Sequence, residues 1–144
     1  MEEPIIQFFS EDTDFEVRDP LVCRNWLHEA ARNEGAEISF LNYVFCNDEY
    51  LLEINKQYLD HHDFTDIITF PYAEEENTIE GDIFISIDRV RENAEMYIVS
   101  FEHELHRVMI HGLLHLLGYD DKEVADKERM TGKEDHYLGL FPSI

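Results

Sequence analysis

Residues 100–121 read S-F-E-H-E-L-H-R-V-M-I-H-G-L-L-H-L-L-G-Y-D-D, and the reading of this stretch decides how the rest of the chain is placed. Ser100 followed by Glu104 is a helix start, and the positions after it fix what kind of helix follows. Leu105, Val108, Met109, Ile110, Leu113, Leu114, Leu116 and Leu117 cover more than half the circumference of a helix over 100–117. A helix apolar over so much of its surface belongs at the centre of a fold. His111 and His115 lie four positions apart within it, so both imidazoles leave the same face, one turn apart, where two ring nitrogens can meet one metal ion. Gly118 can take the left-handed conformation that ends a helix and lets Tyr119, Asp120 or Asp121 return to the same point. Histidine and carboxylate donors of this kind suit zinc and leave a fourth position for water, which admits catalysis.

Outward from this helix, the chain alternates short strands and helices without a strict period. Before it, strands are expected over 5–9, 38–45, 65–71 and 81–87, the last with Phe84 and Ser86 opposite Ile83, Ile85 and Ile87. Helices are expected from Pro20 to a stop at Gly35, over 48–58 behind an Asn47-Asp48 cap, and over 89–97 behind an Asp88 cap. After it comes a last helix over 122–137. Trp26 falls on the apolar face of the first helix and is expected in the core. The fold class is α+β: one small mixed sheet packed with helices.

The sequence has 144 residues, enough for a single domain over 1–144 with a substantial core. No apolar run approaches the roughly 20 residues that span a bilayer, and the N-terminus lacks the charged and apolar regions of a signal peptide, so the expectation is a cytoplasmic protein without a membrane partner. Cys23 and Cys46 lie in apolar surroundings without a C-x-x-C pair and read as buried free thiols. Thirty-three acidic residues against 11 basic ones give a formal net charge of -22. A field of that sign repels nucleic acid at long range, leaving binding to a metal, a local basic patch or a partner.

Beyond the histidine pair, several segments resemble one family, the YbeY endoribonucleases of bacteria. His111-Gly112-x-Leu114-His115-Leu116-x-Gly118-Tyr119-Asp120 matches its signature, Thr65-Asp66-Ile67-Ile68-Thr69-Phe70 is similar to its T-D-V-L-S-F segment, and Gly81-Asp82-Ile83-x-Ile85-Ser86 is similar to its G-D-I-x-I-S strand. Asn55 and Tyr58 match the preceding helix. The resemblance implies a minimal zinc-peptidase-like core with one Zn2+ per chain. It also implies a metal-dependent endonuclease of single-stranded RNA that serves ribosomal RNA processing at the 16S 3′ end, ribosome biogenesis and quality control. The implied partners are ribosomal RNA, ribosomal particles and ribosome-associated proteins, with no DNA.

Two positions depart from the family pattern. Where the family signature closes with a histidine that supplies the third metal ligand, this chain has Asp121, so the implied set is His111, His115 and Asp121, with Asp120 as the alternative. A carboxylate is a harder donor, which raises relative tolerance for manganese or magnesium and partly neutralises the ion. Leu59 stands where the family has an arginine, and Arg89, Arg107 or Lys122 are the cations available to meet phosphate instead.

Gly112 stands where a zinc peptidase of H-E-x-x-H type carries its glutamate base, which opposes peptide hydrolysis. A metal hydrolase of peptides or small molecules and a non-catalytic ribosome-associated metal protein are the competing readings. His103-Glu104-Leu105-His106 is expected at the helix surface, His61 and His62 in a solvated loop, and His28 and His136 at surface or helix-end positions. Asp66 and Asp82 suit a site role and a structural hydrogen-bonding role equally.

Overall fold

The structure, a computed structural model, describes residues 5–59 and 65–142; His61 and His62 lie outside them. In chain order the elements are β1 (Ile6–Ser10), α1 (Pro20–Asn33), β2 (Glu37–Cys46), α2 (Asp48–Leu59), β3 (Ile67–Pro71), β4 (Thr78–Ser86), α3 (Ile87–Tyr97), α4 (Phe101–Leu116) and α5 (Val124–Gly139). They form an α+β fold around one mixed sheet of order β1-β2-β4-β3. β1 and β4 run parallel to β2, and β3 is antiparallel to β4.

The pleat of the two central strands sorts the side chains onto two faces. Leu41, Tyr43 and Phe45 of β2 with Ile79, Ile83 and Ile85 of β4 face the main core, where they meet Leu27 of α1, Val90 of α3, Met109 and Leu113 of α4, and Tyr137 of α5. The opposite face carries Cys46, Ile68, Phe70 and Phe84 under a smaller cover formed by Leu51, Tyr50 and Ile54 of α2. Phe84 and Ser86 thus lie opposite Ile83 and Ile85, as their alternation predicts, while Ile87 already begins α3. Trp26 is core and donates its indole N–H to the Tyr137 carbonyl at 2.7 Å.

α4 starts where expected: Ser100 Oγ accepts the His103 N–H at 3.1 Å. Its Leu105, Val108, Met109, Ile110, Leu113 and Leu114 are buried, each contributing about 1.5 to 3 kcal/mol of transfer free energy. The approach of α4 to the sheet is set by two glycines. A Cβ on Gly112 would stand 2.9 Å from Ile67 Cδ1 and 3.0 Å from Ile83 Cδ1, and one on Gly81 would meet Leu116 Cδ1 at 2.9 Å and the Phe70 carbonyl at 3.0 Å.

Other expectations need correction. The cap of α3 is Ser86, whose hydroxyl accepts the Arg89 N–H, while Asp88 accepts the Asp48 N–H at 3.0 Å and so ties the start of α2. β4 begins at Thr78, three residues before Gly81, because its N-terminal end pairs with β2 from Glu37 onward. Of the stretch 103–106, His103 is exposed as expected, but the rest is not surface: Glu104 is 4% exposed, Leu105 is buried, and His106 stacks on Phe141 at 4.0 Å between ring centroids and lies 5.7 Å from the Trp26 ring. Burial drives the His106 pKa down to about 4, so this imidazole is neutral. His136 is exposed on the last turn of α5, as expected, whereas His28 is half-buried, which lowers its pKa. Cys23 and Cys46 are buried free thiols, each pushed up to about 12 by burial. No helix among the described residues is long and apolar enough to cross a membrane.

Candidate metal centre

His111 and His115 project from one face of α4 with ring centroids 4.6 Å apart and planes at 80°. Gly118, at φ 104°, ends the helix, and the Tyr119 N–H reaches back to the Leu114 carbonyl at 3.0 Å. The chain then returns as the motif allows. Asp121 Oδ2 comes to 3.3 Å from His111 Nε2 and 3.4 Å from His115 Nε2. Asp120 instead spends a carboxylate oxygen on the Asp121 N–H at 2.8 Å and lines a separate groove with Glu34 and Tyr119. Among the described residues, His111, His115 and Asp121 form the group whose donor atoms lie within 4.8 Å of one another.

This donor set fits a divalent ion. A tetrahedral site with bonds of about 2.0 to 2.1 Å has ligand-to-ligand edges of about 3.3 to 3.4 Å, which are the spacings that Asp121 makes with the two imidazoles. The second nitrogen of His111 is also fixed. Its Nδ1 lies 2.6 Å from Glu134 Oε2, and Glu134 Oε1 accepts from Arg107 Nη1 at 2.8 Å. Paired with Arg107, the Glu134 carboxylate keeps the proton on Nδ1 and leaves the Nε2 lone pair facing Asp121. Burial alone would lower the His111 pKa; the hydrogen bond and charge of Glu134, with Asp121 and Asp66, more than reverse that and hold it above the ordinary value.

Glu134 is a participant that the sequence reading missed. It lies 23 residues from His111, on the face of α5 that buries Met130 and Tyr137. One acid at helical spacing between two apolar core residues was the available signal. A second unread anchor is Glu34, which follows α1. Its carboxylate accepts from Tyr119 Oη at 2.5 Å, from Lys133 Nζ at 3.0 Å and from the Tyr137 hydroxyl. Burial pushes the Glu34 pKa up, but these three bonds and the Lys133 charge outweigh it and hold the carboxyl below its usual range. The turn leading to Asp121 is therefore pinned to both α1 and α5.

The two aspartates that the sequence left open separate cleanly. Asp82 points to the sheet face away from the histidines and accepts from Asn42 at 3.0 Å and Tyr72 at 2.9 Å, a structural duty. Asp66, just ahead of β3, shares a groove with His111 and Glu134, and burial raises its pKa, with the charge of His111 opposing the rise. Of the three cations named as stand-ins for the family arginine, Arg89 is held by Asp48 and Glu92, and Arg107 by Glu134 and Asp135. Lys122 is exposed on the turn beside Asp121. Gly112 is packed so closely against Ile67 and Ile83 that the glutamate of a zinc peptidase at this position would have to displace their side chains.

The sequence profile described as endoribonuclease YbeY matches residues 7–141. The chain belongs to this family. A Cytophaga hutchinsonii protein named endoribonuclease YbeY is 52% identical over 140 residues, which are 97% of this chain and 98% of that protein. A Flavobacterium psychrophilum protein of the same name is 50% identical over 133 residues, covering 92% of this chain and 94% of that one. The fold is similar to the solution structure of TM1509 from Thermotoga maritima, with a TM-score of 0.65 and 29% identity over 92% of this chain and 86% of that one.

Proposed function

We propose that the chain is a metal-dependent endoribonuclease that hydrolyses single-stranded RNA, with His111, His115 and Asp121 as the metal ligands and 1–144 acting as one hydrolase domain. The observation that carries this reading is the pair of 3.3 and 3.4 Å approaches of Asp121 to the two imidazoles in a member of the YbeY family. Zinc suits the two nitrogens and one oxygen, and the carboxylate widens tolerance toward manganese. When bound, a divalent ion supplies Lewis acidity toward phosphate and a place for water. The chain's part is to present two imidazole nitrogens and one carboxylate oxygen, to hold the His111 tautomer through Glu134, and to keep the returning turn in place through Glu34.

The proposed setting is the cytoplasm, with ribosomal particles or ribosome-associated proteins as partners and maturation of the 16S 3′ end of ribosomal RNA as the task. The family membership supports it. The packing around Gly112 argues against peptide hydrolysis.

The test is cleavage of single-stranded RNA by the purified protein, with and without a chelator, beside His111→Ala and His115→Ala. Loss of cleavage in both variants and on chelation is expected. Activity untouched by either substitution would overturn the reading. Metal analysis of protein prepared without added metal should find zinc near one equivalent.

A further inference from the structure

We propose that the groove on the Nδ1 side of His111 holds a nucleobase of the RNA, with Glu104 as the residue that selects guanine. The proposal rests on the endoribonuclease reading above and names a specificity for that site.

The groove has a volume of about 510 Å³ and shares His111 and Glu134 with the metal centre as walls. Its defining feature is Glu104. This residue is 4% exposed and lines the groove, yet among the described residues no hydrogen bond or ion pair reaches its carboxylate. It is not sealed off either, since among the described residues no fully buried side-chain nitrogen or oxygen lacks a partner. Its oxygens are therefore open to the groove. A carboxylate removed from water without donors is costly, and a ligand that supplies donors there recovers that cost. Arg107, which also lines the groove and whose charge acts on Glu104, is already engaged by Glu134 and Asp135.

Which part of an RNA fits follows from charge and shape. Asp66, Glu104 and Glu134 together repel a phosphate, so the base edge is the portion that suits the groove. Tyr97 at its rim is 62% exposed and offers a ring for a planar base. Guanine presents two adjacent donors, N1–H and the N2 amino group, to the two oxygens of one carboxylate. Adenine and cytosine present one amino donor beside an acceptor nitrogen. Uracil presents one N–H between two carbonyl oxygens, which a carboxylate repels.

Two single-stranded RNAs serve as the test, one all uridine and one with a single guanosine in the same run. The intact metal-loaded protein is expected to cut beside the guanosine with kcat/KM roughly tenfold above the all-uridine strand. In Glu104→Gln, whose carboxamide offers one donor and one acceptor, that ratio should fall toward one. A purely structural Glu104 would lower both rates together and keep the ratio, and that result overturns the proposal, as does equal cutting by the unsubstituted protein.

If the unsubstituted protein cuts no RNA, the endoribonuclease reading fails, and the groove is then judged by binding alone. Guanosine 5′-monophosphate should shift the backbone amide resonances of Asn93, Glu104 and Arg107 while uridine 5′-monophosphate does not, and Glu104→Gln should remove the difference. Equal shifts, or none, overturn the proposal.

Discussion

At His111 one ring serves two partners: Nδ1 is held by Glu134 at 2.6 Å, and Nε2 faces Asp121 at 3.3 Å. Replacing Glu134 by Gln keeps the shape but removes the charge that holds the tautomer, and zinc affinity should fall by about 10- to 100-fold, as is typical for an outer partner of a metal ligand. Chelator competition measures it. Asp121→Ala should lose more than this, while Asp121→His, which restores the histidine of the family pattern, should tighten zinc relative to manganese in the same assay. The histidine pair was legible because both residues stand on one helix and their spacing is a fixed angle. Glu134 was not, since its place depends on how α5 docks on α4, which no local spacing encodes.

Among the elements, the contact of α4 with the sheet is where small changes should matter most. Gly112→Ala pushes a methyl group against Ile67 and Ile83, whose side-chain ends can yield. Gly81→Ala meets a backbone carbonyl as well as Leu116 and has less relief. Both should destabilise by about 1 to 3 kcal/mol, with Gly81→Ala the worse, readable as shifts of the urea midpoint.

α4 also carries His106, whose folded pKa of about 4 lies below the ordinary 6.5. Between those values the unfolded chain takes up a proton that the folded one refuses, so stability falls as pH drops from about 6.5 toward 4, by at most about 1.4 kcal/mol per pH unit. His106→Phe should flatten the curve in that window, and pH-resolved denaturation of both proteins isolates the difference. The start of α4 could be read from Ser100 because a cap is local. That of α3 was misread because Asp88 is drawn to the start of α2, a partner 40 residues away.

The whole molecule carries a net charge of -22 against a polyanionic substrate. Raising the salt from about 0.01 to 0.15 M shortens the screening length from about 30 to about 8 Å. At fixed metal concentration kcat/KM on RNA should therefore rise over that range, opposite to the behaviour of a basic nuclease. Initial rates across a potassium chloride series decide it. At this scale the class of fold was readable, since alternating strand and helix patterns restrict the layers available. The order β1-β2-β4-β3 was not, because strand pairing brings together residues far apart in the chain, and Asp82 could be assigned to its sheet face only once β2 and β3 stood beside β4.

The two cysteines sit in different layers: Cys23 belongs to the main core and Cys46 to the smaller one under α2. Protonated and shielded, neither reacts with an alkylating reagent until its layer opens. The chain thus contains two internal clocks, and the ratio of their labelling rates in native buffer would tell whether the α2 cover breathes on its own or only when the entire molecule comes apart.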